Sequence, residues 1–153
     1  MRVKDIMNRT VVVAFPETEV TNIARLMARY GIGCVIIVNK LRNIIGIVTE
    51  QDVMNVVARQ EDPRKLKAMD IMVTDVTTID EDKTVGEAAQ IMIENKIKKL
   101  PVVWKKEIKG IVTSTDIMIA HTKAPKKVEL LIRSKGADQG LVDKDFAYLN
   151  LVC

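Results

Sequence analysis

Apolar positions along this chain fall into two rhythms that alternate and then repeat. A β-branched run, Val11-Val12-Val13, reads as a strand. Val20, Ile23, Ala24 and Met27 follow at the i, i+3, i+4, i+7 spacing of a helix that buries one stripe. Residues 35–38 and 44–48 are short apolar runs divided by polar residues 39–43, which predicts a hairpin, and a second helix opens after Thr49. The succession then starts again. Val76-Thr77-Thr78 predicts a strand, and Val85, Ala88, Ala89 and Met92 repeat the helical stripe. Residues 100–103 and 108–112 predict a hairpin around 105–107, and another helix opens after Thr113. Thr84-x-x-Glu87 has the form of a capping box just ahead of its helix.

The two halves are copies. Asp5-Ile6-Met7 returns as Asp70-Ile71-Met72, 65 positions on, and Val11, Val20, Ala24, Met27 and Ile32 find Val76, Val85, Ala89, Met92 and Ile97 at the same offset. Past a one-residue deletion, Gly46-Ile47-Val48-Thr49-x-x-Asp52 matches Gly110-Ile111-Val112-Thr113-x-x-Asp116. We therefore divide the chain into repeat 1 (1–58), a charged linker (59–67) containing Pro63, repeat 2 (68–121) and a tail (122–153) that matches neither copy. Within the tail, a lysine-rich turn around Pro125 precedes a candidate helix over 128–133. Each copy reads strand, helix, strand, strand, helix, which makes the fold class α+β. A unit of ~60 residues buries too little surface to be comfortable alone, so the copies are expected to share an interface.

Composition narrows the function. With 48% hydrophobic and 29% charged residues in 153, the chain has enough core to fold as a globular protein. Its net charge of +4 is far from the dense positive field of a dedicated DNA binder. Five scattered aromatic residues (Phe15, Tyr30, Trp104, Phe146 and Tyr148) supply no platform for stacking successive bases, so nucleic acid is not an expected partner. No apolar run approaches the ~20 residues of a membrane span, and the N-terminus lacks the apolar core of a signal peptide; a cytoplasmic protein is expected. Cys34 and Cys153 make neither a disulfide framework nor a metal spacing, and the single histidine, His121, makes no metal cluster. Neither a Gly-x-Ser-x-Gly elbow nor a phosphate-binding Walker loop is present, and no catalytic residues, metal site or required cofactor are assigned.

The repeated Gly-Ile-Val-Thr-x-x-Asp carries the candidate chemistry, and the residues admit two readings. Thr-x-x-Asp ahead of an apolar helix is a capping box, with Thr at the N-cap and Asp reaching back. The same strand-to-helix corner exposes N–H groups and positive dipole charge, where phosphate binds readily. There a threonine hydroxyl can donate to phosphate, and a carboxylate one turn later can accept from both hydroxyls of a ribose. An apolar slot for a base would come from the first strand of the same copy.

The Asp-Ile-Met starts, the Val…Ala…Met helices, the Leu100-Pro101-Val102-Val103 strand and the doubled Gly-Ile-Val-Thr-x-x-Asp together resemble two CBS domains in tandem, a Bateman module, over residues 1–121. The resemblance implies two βαββα repeats packed about a pseudo-twofold axis, and a homodimer of such modules. It also implies a regulatory ligand, AMP, ADP, ATP or a related adenosyl compound, in clefts between the repeats, with the state relayed to an unidentified partner protein. By position, Asp52 and Asp116 would hold ribose hydroxyls and Thr49 and Thr113 phosphate. Val11, Val12, Val76 and Thr77 would line adenine slots, and Lys98 and Lys99 would neutralise phosphate. Repeat 1 has Gly33 and Cys34 where repeat 2 has that basic pair, so the two clefts are expected to differ. Two alternatives come from other classes: a structural, oligomerising module with vestigial clefts, or a nucleic-acid-associated regulator using the lysine-rich edge from Lys96 to Lys109.

Overall fold

The amphipathic stripes fold as their spacing predicts. In the computed structural model, which describes residues 1–122 and the backbone of 147–150, Val20–Tyr30 forms α2 and Val85–Asn95 forms α5. Ile23, Leu26 and Met27 bury one face of α2, and Ala88 and Met92 one face of α5. Glycine ends the first of these helices: Gly31 sits at φ 59° and its N–H reaches the Met27 carbonyl. Lys96 takes the same left-handed conformation (φ 53°) at the end of α5, where a side chain makes it costly. The Thr84 capping box forms, with Thr84 Oγ1 accepting from Glu87 N–H at 3.1 Å and Thr84 N–H donating to Glu87 Oε2 at 2.8 Å.

Strands follow the helices. β2 (Cys34–Val38) runs antiparallel to β3 (Ile44–Thr49), and β5 (Lys99–Trp104) antiparallel to β6 (Glu107–Thr113). β1 (Thr10–Ala14) joins β2 in parallel through Val13 and Ala14. Its counterpart is shifted: Val76-Thr77-Thr78 are not a strand, and only Ile79–Asp80 (β4) pairs in parallel with β5. Threonines there offer the pairing strand no buried apolar face, whereas Ile79 is buried in the core. The sheets run β3-β2-β1-β7 and β4-β5-β6, with β7 (Ala147–Asn150) coming from the tail. The expected helix over 128–133 and the turn around Pro125 lie outside the described residues. Helices α3 (Glu50–Ala58) and α6 (Ser114–Ala120) close the two copies as predicted.

Two short helices, α1 (Val3–Ile6) and α4 (Ala68–Ile71), carry the Asp-Ile-Met triplets, and their placement was not foreseen. Residues 1–11 belong to one compact unit with the chain from 77 onward, while residues 12–76 form the other. Each triplet therefore packs into the unit built on the opposite copy. Val3 and Met7 enter the core with Leu100, Val102 and Val112; Ala68, Ile71 and Met72 join Leu26, Val35 and Val48. The docking uses the same bonds twice. Leu66 C=O accepts from Val20 N–H at the start of α2, and Met1 C=O from Val85 N–H at the start of α5. Likewise Ala68 N–H reaches Thr18 C=O, and Val3 N–H reaches Lys83 C=O.

Candidate functional site

Each Gly-Ile-Val-Thr ends a strand at a crowded place. A Cβ on Gly46 would lie 2.5 Å from Met72 Sδ, and one on Gly110 only 2.6 Å from the Asn8 carbonyl oxygen and 2.9 Å from Met7 Sδ. The glycines are there because the Asp-Ile-Met segment of the other copy crosses directly over them. Backbone bridges fix both crossings: Ile47 with Val73, and Asn8 with Ile111, the latter through two N–H···O bonds of 2.9 Å.

The acids that follow are capping residues. Asp116 Oδ2 accepts from Thr113 N–H at 2.8 Å and from Thr113 Oγ1 at 2.9 Å, while Asp116 N–H donates back to Thr113 Oγ1 at 3.2 Å. Asp52 Oδ2 likewise accepts from Thr49 N–H (2.8 Å) and Thr49 Oγ1 (3.1 Å). In this structure both threonine hydroxyls therefore spend their proton on a carboxylate of their own corner.

Capping does not close off Asp116. A cavity of about 550 Å³ opens beside it, within the range of small-molecule sites. Ile6, Met7, Ile119 and Ala120 give it apolar wall, Asn8 and Thr10 polar groups, and Asp5, Arg9 and Asp116 charge. Its wall is held in place: Arg9 Nη2 donates to the Lys4 carbonyl at 3.2 Å, Thr10 N–H to Asn8 Oδ1 at 3.0 Å, and Arg2 N–H to Asp5 Oδ2 at 2.8 Å. Lys4 anchors the same segment through a 2.7 Å ion pair with Asp82. Its hydrogen bond and charge hold the Asp82 carboxyl below the usual aspartate range and, reciprocally, raise the Lys4 ammonium.

Of the ten residues predicted to bind ligand, Asp116 lines this cavity, with Thr113 holding it from one turn back. Val11 is buried directly after Thr10 in β1. Lys99 pairs across the sheet with Thr113, and the Lys98 carbonyl accepts from Ser114 N–H; neither lysine lines the cavity. Val12, Thr49, Asp52 and Val76 belong to the other compact unit, and Thr77 is exposed outside any strand. The wall beside Asp116 thus comes from the residues leading into the first copy's strand, where the sequence reading looked to the strand of the same copy. Asp5, Asn8, Arg9 and Thr10 went unrecognised as site residues. Their one signal was the repetition of Asp-Ile-Met, which read as a marker of duplication. Among the described residues no three His, Cys, Asp or Glu side chains are placed to hold a metal, and no helix is long and apolar enough to cross a membrane.

Comparison with known proteins gives the same outline. The family model for the CBS domain matches twice, over residues 3–59 and 68–122. An uncharacterised protein of Methanopyrus kandleri is 39% identical over 118 residues, which is 76% of this chain and 60% of that one. Inosine-5′-monophosphate dehydrogenase of Korarchaeum cryptofilum is 37% identical over 76% of this chain but only 23% of the enzyme. The chain thus spans less than two thirds of the length of the curated relatives it first matches. Among solved structures, a CBS domain pair in complex with 5′-methylthioadenosine and S-adenosyl-L-methionine superposes with a TM-score of 0.74 at 28% identity, covering 80% of this chain and all of that one.

Proposed function

Because the chain belongs to the CBS-domain family, as two CBS repeats in tandem, we propose that it is a regulatory module that binds an adenosine compound beside Asp116 and relays its state to a partner protein. The observation that carries this reading is the 550 Å³ cavity in which a carboxylate stands over apolar wall. Asp116 lines the cavity, and a carboxylate at that place is of the chemical type that receives ribose hydroxyls. Adenine would lie against Ile6, Met7, Ile119 and Ala120. The solved relative that holds two adenosyl compounds supports the same ligand class, which spans AMP, ADP, ATP and S-adenosyl compounds. Asp52, with Thr49, Val12 and Val76, would be the corresponding weaker corner of the other unit; Val11, Thr77, Lys98 and Lys99 would border the first. Such a ligand acts only through a difference in affinity between two states of the module. A cytoplasmic homodimer is part of the proposal, supported by exposed Met54 and Met118 at matching positions of α3 and α6.

The experiment is titration calorimetry and thermal melting with a panel of adenosine compounds. At 100 times its Kd a ligand stabilises by about 2.7 kcal/mol, a midpoint rise of roughly 5–10 °C for a domain of this size. Asp116→Ala should lower affinity at least about tenfold and Asp52→Ala far less. Binding indifferent to both substitutions would refute the residue assignment. A scaffold with vestigial clefts would show no midpoint shift with any compound.

A further inference from the structure

We infer that the tips of the two hairpins, one in each compact unit, are contacts for an anionic lipid surface. Each tip exposes a large apolar side chain beside two cations. In the β2–β3 loop Leu41 is 81% exposed between Lys40 and Arg42. In the β5–β6 turn Trp104 is 37% exposed and is followed by Lys105 and Lys106. Among the described residues Lys40, Arg42 and Lys106 have no ion pair, and the Lys105 ammonium lies over the Trp104 ring, 5.6 Å from its centroid. Glu107, the one carboxylate at either tip, is taken up by Lys109 at 3.4 Å, so both tips are net positive.

Turn chemistry does not account for these residues. Trp104 pairs with Glu107 across the ladder, which leaves Lys105 and Lys106 as a two-residue turn with φ of 49° and 68°. A turn with two positive φ angles favours Asn-Gly or Gly-Gly, because most side chains make the left-handed region costly. Two lysines there keep a strained backbone, the mark of a position held for something other than folding. In the other loop the Asn39 side chain accepts from the N–H groups of Leu41 and Asn43, both at 3.0 Å, and Arg42 stands at φ 63°. That bonding holds the loop while Leu41 projects into solvent. A lipid headgroup layer receives this chemistry: the apolar side chain sinks below the phosphates, and the ammonium and guanidinium groups stay level with them. Base stacking would need a ring at both tips, and Leu41 has none. Such an attachment is peripheral and needs no spanning helix.

Trp104 is the only tryptophan in the sequence, so its emission reports on one tip directly. The full chain is titrated with vesicles of phosphatidylcholine alone and of phosphatidylcholine mixed with phosphatidylserine, and bound protein is measured in parallel by sedimentation. The mixed vesicles should bind the chain and shift its emission to the blue, the neutral ones far less, and binding should fall as salt rises. The double substitution Lys105→Asn, Lys106→Gly should weaken binding at least about tenfold, since each cation near such a surface is worth roughly fivefold. The same variant should melt a few degrees higher because it relieves the turn, so its lost binding cannot come from lost folding. Leu41→Ser should weaken binding several-fold. Failure of the mixed vesicles to bind, a bound chain whose Trp104 emission does not move, or an affinity unchanged in either variant would overturn the inference. A single-stranded oligonucleotide or polyglutamate that binds the chain more tightly than the mixed vesicles would overturn it too, by assigning the tips to nucleic acid or to an acidic protein.

Discussion

Substitution of the two matched glycines by alanine separates the roles that the fold assigns them. At Gly110 a new Cβ would sit 2.6 Å from the Asn8 carbonyl oxygen, a backbone atom. Ordinary contact requires the Asn8 backbone to retreat by roughly 0.6–0.8 Å. The two 2.9 Å bonds between Asn8 and Ile111 would then lie near or beyond 3.5 Å, outside good hydrogen-bond geometry. Losing them costs about 1 kcal/mol each, and overpacking a filled core adds about 1–3 kcal/mol. Replacing a strand glycine by alanine returns about 0.5–1 kcal/mol of backbone entropy, leaving a net loss of about 2–4.5 kcal/mol. At Gly46 the obstacle is Met72 Sδ and Cγ, a thioether that can adopt another rotamer while the Ile47–Val73 bridge stays in place. The net cost there should be about 0–1 kcal/mol. Urea unfolding of the two variants measures the difference as a shift in midpoint at constant slope. Gly110→Ala should also weaken ligand binding, because Met7 and Asn8 form the cavity wall. Equal destabilisation by the two alanines, or a larger effect at Gly46, would refute the view that residues 7–8 are pinned over β6.

Two further outcomes follow from local geometry. Lys96 stands in the left-handed region where its counterpart is Gly31, so Lys96→Gly should stabilise the chain by about 1 kcal/mol, measurable by the same unfolding experiment. The Lys4–Asp82 pair predicts a pH dependence of defined sign. Asp82 titrates below its unfolded value, so its contribution is complete above the unfolded aspartate range and is lost as pH falls through the lowered folded pKa. Lys4 titrates above its unfolded value, so its contribution is complete below the unfolded lysine range and fades as pH rises through the raised folded pKa. Melting curves against pH should show Asp82→Asn flattening part of the acid limb. Among the described residues, Glu87, held low mainly by the Thr84 N–H, and Asp62, held low mainly by Arg64, contribute to the same limb with the same sign.

Read from residues alone, the duplication, the two amphipathic helices, both hairpins and the Thr84 cap were all visible, because each is written in contacts between residues a few positions apart. The same locality explains the errors. Val76-Thr77-Thr78 carries strand propensity, yet the pairing residues are Ile79 and Asp80, since the parallel partner β5 and the burial of Ile79 decide the register. Thr-x-x-Asp is legible as a cap or as a ligand site, and only coordinates show Asp116 serving in the cap while lining a cavity that Asp5 to Thr10 complete. A duplicated sequence presents two equivalent docking faces for each Asp-Ile-Met segment, one on its own copy and one on the other. Nothing in local periodicity distinguishes them, and loop-closure entropy grows too slowly with length to favour the near one strongly. Tertiary packing made that choice, by placing Met7 over Gly110 and Met72 over Gly46, and the wall beside Asp116 is its consequence.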